Sequence, residues 1–302
     1  MCNEKEALVT SIQRFSLNDG PGIRTTVFLQ GCNMKCTWCH NPETLSAHPR
    51  LMFYPEKCIG CGKCFETCPN GAHIIAGGKH EINRELCTSC GKCASLCTAQ
   101  ALVMSSRTMS VDDVMREVRQ DKLYYDLSGG GVTVSGGEAS LHAPFVEALA
   151  DACHEEGIKI AVETNLSLAW DRLAPMLKKM DLIMCDMKLN LTITHKKYTG
   201  IDNQNIFNNI GRSSLLGIPM IVRTPLIPGI TDSIDNIQPI ADFLSKLDNI
   251  QYYELLNFNP LGSSKREALN DEDDFADCKS FSSSQLKKLR ESLKTTLKIK
   301  VS

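Results

Sequence analysis

No stretch of this sequence approaches the roughly 18 consecutive apolar residues that a membrane-spanning helix needs. The opening residues Met1-Cys2-Asn3-Glu4-Lys5-Glu6 contain no apolar signal core. Those two absences lead us to expect a cytoplasmic protein. One-sided charge is missing as well: 33 Lys and Arg against 35 Asp and Glu leave a formal net charge of -2. Such a chain has no electrostatic footprint for nucleic acid or for an anionic membrane.

A further absence is local. Between Gly31 and Glu43 the chain reads Gly-Cys-Asn-Met-Lys-Cys-Thr-Trp-Cys-His-Asn-Pro-Glu, with thiols at Cys32, Cys36 and Cys39 and no fourth. A four-iron cubane normally takes a thiolate on each iron, so a loop supplying three leaves one iron open to another ligand. A zinc site or a group of core thiols is the plainer reading of a Cys-x-x-Cys, since free cysteine packs as a small hydrophobe.

Cysteine itself is abundant, at 15 in 302 residues. In a cytosolic chain these are metal ligands more readily than disulfides. Eleven fall between positions 32 and 97, while Cys2, Cys153, Cys185 and Cys278 stand alone and read as structural. From Lys57 to Thr98 the run Cys58-x2-Cys61-x2-Cys64-x3-Cys68-Pro69 is followed by Cys87-x2-Cys90-x2-Cys93-x3-Cys97. This internal repeat fits the two-cluster ferredoxin pattern, in which the fourth cysteine of each run ligates the other cluster. Cys58, Cys61, Cys64 and Cys97 are then expected to hold one cluster, and Cys87, Cys90, Cys93 and Cys68 the second. So few large apolar side chains could not fold this segment by burial alone, so metal must hold it together. The expected domains are 55–98, a ferredoxin-like insert, and 1–54 with 99–302 around it.

The remainder alternates strand and helix. Thr25 to Leu29 is strand-like and runs into the three-cysteine loop; Ser110 caps an amphipathic helix with apolar Val111, Val114, Met115 and Val118. Further strands are expected at 131–134, 158–162, 182–185, 220–223 and 251–256, each followed by a helix. Six such βα units wind into a doubly wound sheet or into a barrel that fails to close, and periodicity does not choose between them. The length suits a one-domain α/β barrel of roughly 200 to 250 residues plus a small insertion.

Chemistry-bearing residues collect at the carboxyl ends of these strands, where ligands bind in barrels and open α/β sheets. Strand ends carry Ser135-Gly136-Gly137-Glu138, Glu163-Thr164-Asn165, Asp186-Met187-Lys188, Arg223 and Asn257-Phe258-Asn259-Pro260. Bare glycine backbone admits a ligand closely. Glu163 and Asp186 suit a monovalent cation or an ammonium, and Arg223 a carboxylate. Together they describe a pocket for a zwitterion with a tail.

The spacing Cys32-x3-Cys36-x2-Cys39 resembles the signature of the radical S-adenosylmethionine (SAM) superfamily. With Asp19-Gly20-Pro21-Gly22-Ile23-Arg24, Cys39-His40-Asn41-Pro42, Gly129 to Thr133, Ser135 to Ala139, Asp186-Met187-Lys188 and Pro228-Gly229, the chain resembles the glycyl-radical enzyme activating enzymes. It is similar to pyruvate formate-lyase activase over nearly its whole length outside the insert. The eight-cysteine insert resembles that of the activases for choline trimethylamine-lyase, glycerol dehydratase and aryl-acetate decarboxylases.

The resemblance implies an incomplete (β/α)6 TIM-type barrel with a two-cluster insert, and three 4Fe-4S clusters. It implies that Cys32, Cys36 and Cys39 hold the cluster that binds SAM. It further implies SAM contacts from Trp38, Gly136, Gly137, Glu138, Glu163, Asp186, Lys188, Arg223 and Asn259, with a monovalent cation beside Glu163 and Asp186. In the related activase a histidine stands where this chain has Asn259. The implied reaction is reductive cleavage of SAM to methionine and a 5′-deoxyadenosyl radical, which takes a hydrogen from a glycine of a partner glycyl-radical enzyme. Glu138 is expected to anchor rather than to act as an acid. Asp19 and Arg24 are expected to receive the partner, flavodoxin or ferredoxin to donate electrons, and the protein to be an oxygen-labile monomer. A radical SAM enzyme acting on a small molecule and a ferredoxin-type electron carrier are the competing readings.

Overall fold

The computed structural model describes residues 5–301; Cys2 lies outside the described residues. In chain order the strands are β1 (Glu6–Ser16), β2 (Arg24–Leu29), β3 (Leu51–Phe53), β4 (His73–Ala76), β5 (Lys79–Ile82), β6 (Leu102–Met104), β7 (Arg107–Ser110), β8 (Gly131–Gly136), β9 (Ile160–Thr164), β10 (Leu182–Asp186), β11 (Met220–Pro225), β12 (Ile250–Leu256) and β13 (Ile299–Val301). Nine of them make one sheet, ordered β13-β12-β11-β10-β9-β8-β2-β1-β7. From β2 through β13 every neighbouring pair is parallel, and β1 and β7 add an antiparallel edge.

The six strands expected from the sequence therefore lie side by side in chain order. A doubly wound sheet reverses direction at a switch point, whereas this chain always advances the same way. The open question of topology is settled by that order: the sheet is singly wound. Among the described residues its two edges, β13 and β7, do not pair with each other, so the sheet stays open.

Strand alternation sorts the side chains onto two faces. Val132, Val134, Ile160, Val162, Ile183, Cys185, Met220, Val222, Tyr253 and Leu255 join the main core beneath the helices. The intervening Ala161, Leu182, Met184 and Ile221 form a separate small cluster with Tyr252 on the opposite face. Thr133, Ser135, Glu163, Asp186, Arg223 and Glu254 share that inner face by the same alternation. Helices form where capping and periodicity expected them: Val111–Arg119 has a full capping box from Ser110 and Asp113, and Ala143–Glu155 opens on Pro144. Cys153 and Cys185 are fully buried against the sulfurs of Met115 and Met220, as structural thiols should be.

The cysteine-rich segment is built twice over. Helices Lys63–Thr67 and Lys92–Leu96 are each entered through a glycine, Gly62 and Gly91, at φ 77°, a left-handed conformation that glycine adopts without a Cβ clash. Its core contains Leu51, Phe53, Cys93, Ala101 and Leu102, with Cys64, Cys87 and Cys97 packed against them. The antiparallel pair β3 and β6 closes the segment, and Ser105 N donates to Arg50 O at 2.8 Å just outside it. The closing ladder lies outside residues 55–98, because two short strands with little periodic signal supply it.

Candidate active site

The three-cysteine loop leaves the end of β2 and is tied down by backbone on both sides. Gly31 N donates to Thr44 O at 2.8 Å, closing the loop at its base, and Gln30 Nε2 donates to Glu43 O at 2.9 Å and Ser46 O at 2.6 Å. Across the loop, Lys35 N and Thr37 N donate to Thr199 O at 2.8 Å and Tyr198 O at 3.0 Å. On the other flank Arg266 Nη2 donates to Thr37 O at 2.9 Å and reaches Cys39 O at 3.4 Å. Trp38 is buried with its ring centroid 6.0 Å from that of Tyr198.

Burial pushes the Cys32 and Cys39 thiols up to about 12, and raises Cys36 as well. Each of Cys32 and Cys39 is pushed further by the charge of Cys36. Three soft sulfurs close enough to repel one another when ionised need a bound cation to be thiolates together. Lys188 favours the anion at Cys36 and Arg266 favours it at Cys39, but neither outweighs burial. This donor set fits a thiophilic metal group better than it fits a packed core.

Beside the loop, the glycines of strand β8 meet backbone rather than open space. A Cβ on Gly136, at φ +116°, would stand 2.2 Å from Leu29 N, and one on Gly137 would stand 2.1 Å from Gly31 O. The Gly-Gly turn thus lies directly on the root of the cysteine loop, where Gly137 N and Glu138 N donate to Leu29 O and Gly31 O at 2.9 and 2.8 Å. Glu138 is 1 % exposed. Its Oε1 accepts from Ser140 N, Ser140 Oγ and Thr164 Oγ1, and its Oε2 from Asn165 N at 2.7 Å. It fastens the ends of β8 and β9 together.

Farther along the inner face, Arg223 is the hub. Its Nη1 donates to Glu163 Oε1 and its Nε to Glu254 Oε2, both at 2.9 Å, and its Nη2 to Asn18 O at 2.8 Å. Lys300 Nζ stands 3.0 Å from Glu254 Oε1, and Ser135 Oγ donates to Glu163 Oε2. Lys188 pairs with Asp186. Burial would lower Arg223 and Lys188, yet the carboxylates beside them hold both above their ordinary values. Burial raises Glu163 in spite of Arg223, with Asp186 adding to the shift. Glu163 and Asp186 keep about a quarter of their side-chain surface open, 24% and 25%, whereas Arg223 keeps 3%. The accessible edge of this network is carboxylate at Glu163 and Asp186 and cationic at Lys300.

In the cysteine-rich segment, Cys58, Cys61, Cys64, Cys93 and Cys97 line one cavity of about 120 Å³, together with Phe53, His80 and Leu102. Cys93 carries the electrostatic influence of Cys87 and Cys68. His73 Nδ1 and His80 Nε2 lie 2.9 Å apart, and His80 reaches the sulfurs of Cys58 and Cys64 at 3.9 Å. Cys64, His73 and His80 converge closely enough to hold a metal ion.

With this geometry in place, comparison with known proteins is decisive about family. Residues 26–244 match the radical SAM superfamily. The chain belongs to that superfamily. Among its radical SAM relatives, the (2S)-3-sulfopropanediol dehydratase activating enzyme of Klebsiella oxytoca is 40% identical over 269 residues, covering 87% of this chain and 85% of that one. The benzylsuccinate synthase activating enzyme of Thauera aromatica is 39% identical, covering 86% of this chain and 81% of the relative. The trans-4-hydroxy-L-proline dehydratase activating enzyme of Clostridioides difficile is 37% identical, with 87% of each chain covered. The fold is shared with the crystal structure of Streptococcus suis SuiB bound to precursor peptide SuiA, at 14% identity and a TM-score of 0.52, covering 90% of this chain and 46% of that one.

One residue expected to contact SAM, Asn259, and two expected to receive the partner, Asp19 and Arg24, are engaged within the fold. Asn259 is exposed and its Oδ1 accepts from Leu261 N at 3.1 Å, capping its own loop. Arg24 is 3 % exposed at the start of β2, donating to Thr133 Oγ1, Pro21 O and Val132 O. Its guanidinium is thereby interior, not at a rim where a partner would land. Asp19 accepts from Ser16 Oγ and Thr26 Oγ1 within the same fold-back. Sequence reading missed Glu254, Arg266 and the His73–His80 pair. Glu254 alternates with Tyr253 and Leu255 in β12 and had a readable signal there: a lone acid in an apolar strand needs a cation. Arg266 had none.

Proposed function

We propose that this protein is the activase of a glycyl-radical enzyme. The carrying observation is the three-cysteine loop at the end of β2, beside an inner face that leaves the carboxylates of Glu163 and Asp186 accessible. A four-iron cluster with bound SAM supplies, on receiving one electron, methionine and the 5′-deoxyadenosyl radical that takes the α-hydrogen of a partner glycine. The chain's own part is to hold and orient.

Cys32, Cys36 and Cys39 hold that cluster, with Lys188 and Arg266 offsetting thiolate charge. Glu163 and Asp186 receive the SAM ammonium or a monovalent cation beside it, and Arg223, steadied by Glu254, faces the carboxylate. Gly136 and Gly137 keep the cofactor edge free of side chains, and Trp38 packs behind the loop. We read the open, singly wound sheet as an incomplete (β/α)6 barrel, whose gap admits a partner loop. The 51–104 segment is read as a ferredoxin-like module, with clusters on Cys58, Cys61, Cys64 and Cys97 and on Cys68, Cys87, Cys90 and Cys93. Cys97 lining one cavity with Cys58, Cys61 and Cys64 supports the first set, and Cys93, which borders that cavity, feels the charges of Cys87 and Cys68 of the second. A reduced flavodoxin or ferredoxin serves as donor, the protein acts as a monomer, and its place is the cytoplasm.

The test is anaerobic. Reduced protein, SAM and a candidate glycyl-radical enzyme should give a doublet glycyl signal in electron paramagnetic resonance (EPR), with methionine and 5′-deoxyadenosine formed. Turnover of free small molecules with no glycyl signal would replace this reading with a small-molecule radical SAM enzyme.

A further inference from the structure

The two four-cysteine sets of the insert are not equivalent with respect to the three-cysteine loop. β3 leaves the barrel after Arg50 and runs from Leu51 to Phe53, and β6 returns from Leu102 to Met104, pairing Leu51 with Met104 and Phe53 with Leu102. The Leu51–Met104 rung is thus nearest the barrel and the Phe53–Leu102 rung farthest. The second cysteine run sits on the near rung. Ser89 Oγ accepts from Leu51 N at 3.2 Å, and a Cβ on Gly91 would lie 3.5 Å from Met104 Cγ. The cavity that holds all of Cys58, Cys61, Cys64 and Cys97 is lined by Phe53 and Leu102, the far rung, and of the second set it is bordered by Cys93 alone.

Helix Gly262–Leu269 joins the near rung to the cysteine loop. At one end Lys265 Nζ donates to Asn41 Oδ1 at 2.8 Å and Glu43 Oε1 at 2.6 Å, and Arg266 holds Thr37 O. At the other end Ala268 and Leu269 pack on Met52. Arg84 clamps this end: its Nη1 donates to Leu51 O and its Nη2 to Ala268 O at 2.8 Å. Arg50 adds a two-pronged pair to Asp271 at 2.6 and 2.7 Å. Arg84 Nε is buried and has no partner among the described residues. A donor so placed is costly unless an acceptor arrives; burial holds this guanidinium below its ordinary value, and the charges of Cys87, three residues on, and Asp271 act against that.

We propose that Arg84 is a positioning residue that locks the Cys68, Cys87, Cys90 and Cys93 site against helix Gly262–Leu269, making it the insert centre adjacent to Cys32, Cys36 and Cys39. The inference rests on the reading that both insert sites hold four-iron clusters. Arg84 bridges the two bodies and carries its positive charge in the turn that leads into the Cys87 ligand, where Cys87 N donates to Asn83 O at 3.1 Å. The Cys58, Cys61, Cys64 and Cys97 site is then the outer one.

The experiment uses the whole chain, reconstituted anaerobically. Iron analysis comes first: about twelve irons per chain are expected, and about four would overturn the cluster reading before the ordering is asked. At full loading, EPR of the reduced protein should show the signal of the three-cysteine loop relaxing fast through a magnetic neighbour. That effect should survive in the Cys58→Ala/Cys61→Ala variant and vanish in Cys87→Ala/Cys90→Ala; the reverse pattern overturns the ordering. Because either double variant can lose the insert's fold, Arg84 gives a second arm. Arg84→Ala should shift one insert centre to a more negative potential at unchanged iron content, and Arg84→Lys, which keeps the charge, should restore it. An unshifted potential in Arg84→Ala, or an equal shift in Arg84→Lys, overturns the role of Arg84.

Discussion

Arg223 shows how much of this protein's chemistry depends on single buried charges being matched. It lies between Glu163 and Glu254, with Lys300 closing the far side of Glu254. Replacing Glu254 by Gln keeps the shape and removes a charge, which should cost about 2–4 kcal/mol of stability. It should also weaken SAM binding, since Arg223 would turn toward Glu163. Denaturant unfolding and equilibrium dialysis measure both, and an unchanged unfolding midpoint would sink the claim. Asp121 is a second case, away from the proposed site. Burial alone would raise it, but hydrogen bonds from Arg14 and Thr25 and the charge of Arg14 hold it below its ordinary 3.8. The folded value being the lower one, the unfolded chain binds more protons in acid. The stabilisation is therefore complete above about pH 4 and fades as pH falls through the depressed value. Asp121→Asn should cost about 1–3 kcal/mol at neutral pH, and less in acid. A difference between the two proteins that stays constant down to pH 3 would contradict this.

Among the elements, the Gly-Gly turn after β8 matters through what it touches. Both glycines lie on the backbone of Leu29 and Gly31, so a methyl group on Gly137 has no flexible side chain to push aside. Gly137→Ala should displace the root of the cysteine loop, at a cost of about 1–3 kcal/mol. Its particular signature would be the loss of about four irons from the three-cysteine site, with the insert still loaded. Iron analysis beside the visible spectrum reads this, and full loading would show that the loop tolerates the shift. The spacing of Gly136 and Gly137 was legible in the sequence, but their neighbour was not. Sequence reading supplied a ligand as the reason for bare backbone, and the fold supplies the chain's own cysteine loop as well.

For the whole molecule, the 51–104 segment leaves and rejoins the chain at one place and packs back on helix Gly262–Leu269. Arg50 O accepts from Ser105 N at 2.8 Å, so the ends of residues 51–104 meet and the segment is removable in principle. A chain joined by a short glycine linker from 50 to 105 should keep the barrel's circular dichroism and bind about four irons in place of about twelve. Its melting temperature should fall, because Met52 no longer covers Ala268 and Leu269. Failure to fold would show that insert and barrel form one cooperative unit.

The sequence by itself determined the inventory: three thiols on one loop, eight more in a repeated pattern, and six βα units with polar residues at the strand ends. Those features are local, written in spacing of two, three or four residues, and spacing is what a linear text preserves. Only the tertiary structure decided the winding direction of the sheet, because strand order is a relation between segments far apart in the chain. It also decided which strand-end residues meet. Glu254 stands 31 residues beyond its partner Arg223, and Arg266 stands 229 residues beyond Thr37; neither pairing leaves a periodic trace. Arg24 illustrates the converse. It belongs to a family-like motif near the expected rim, yet its hydrogen bonds to Thr133 and Val132 carry it inside, since a buried guanidinium needs acceptors and strand β8 offers them.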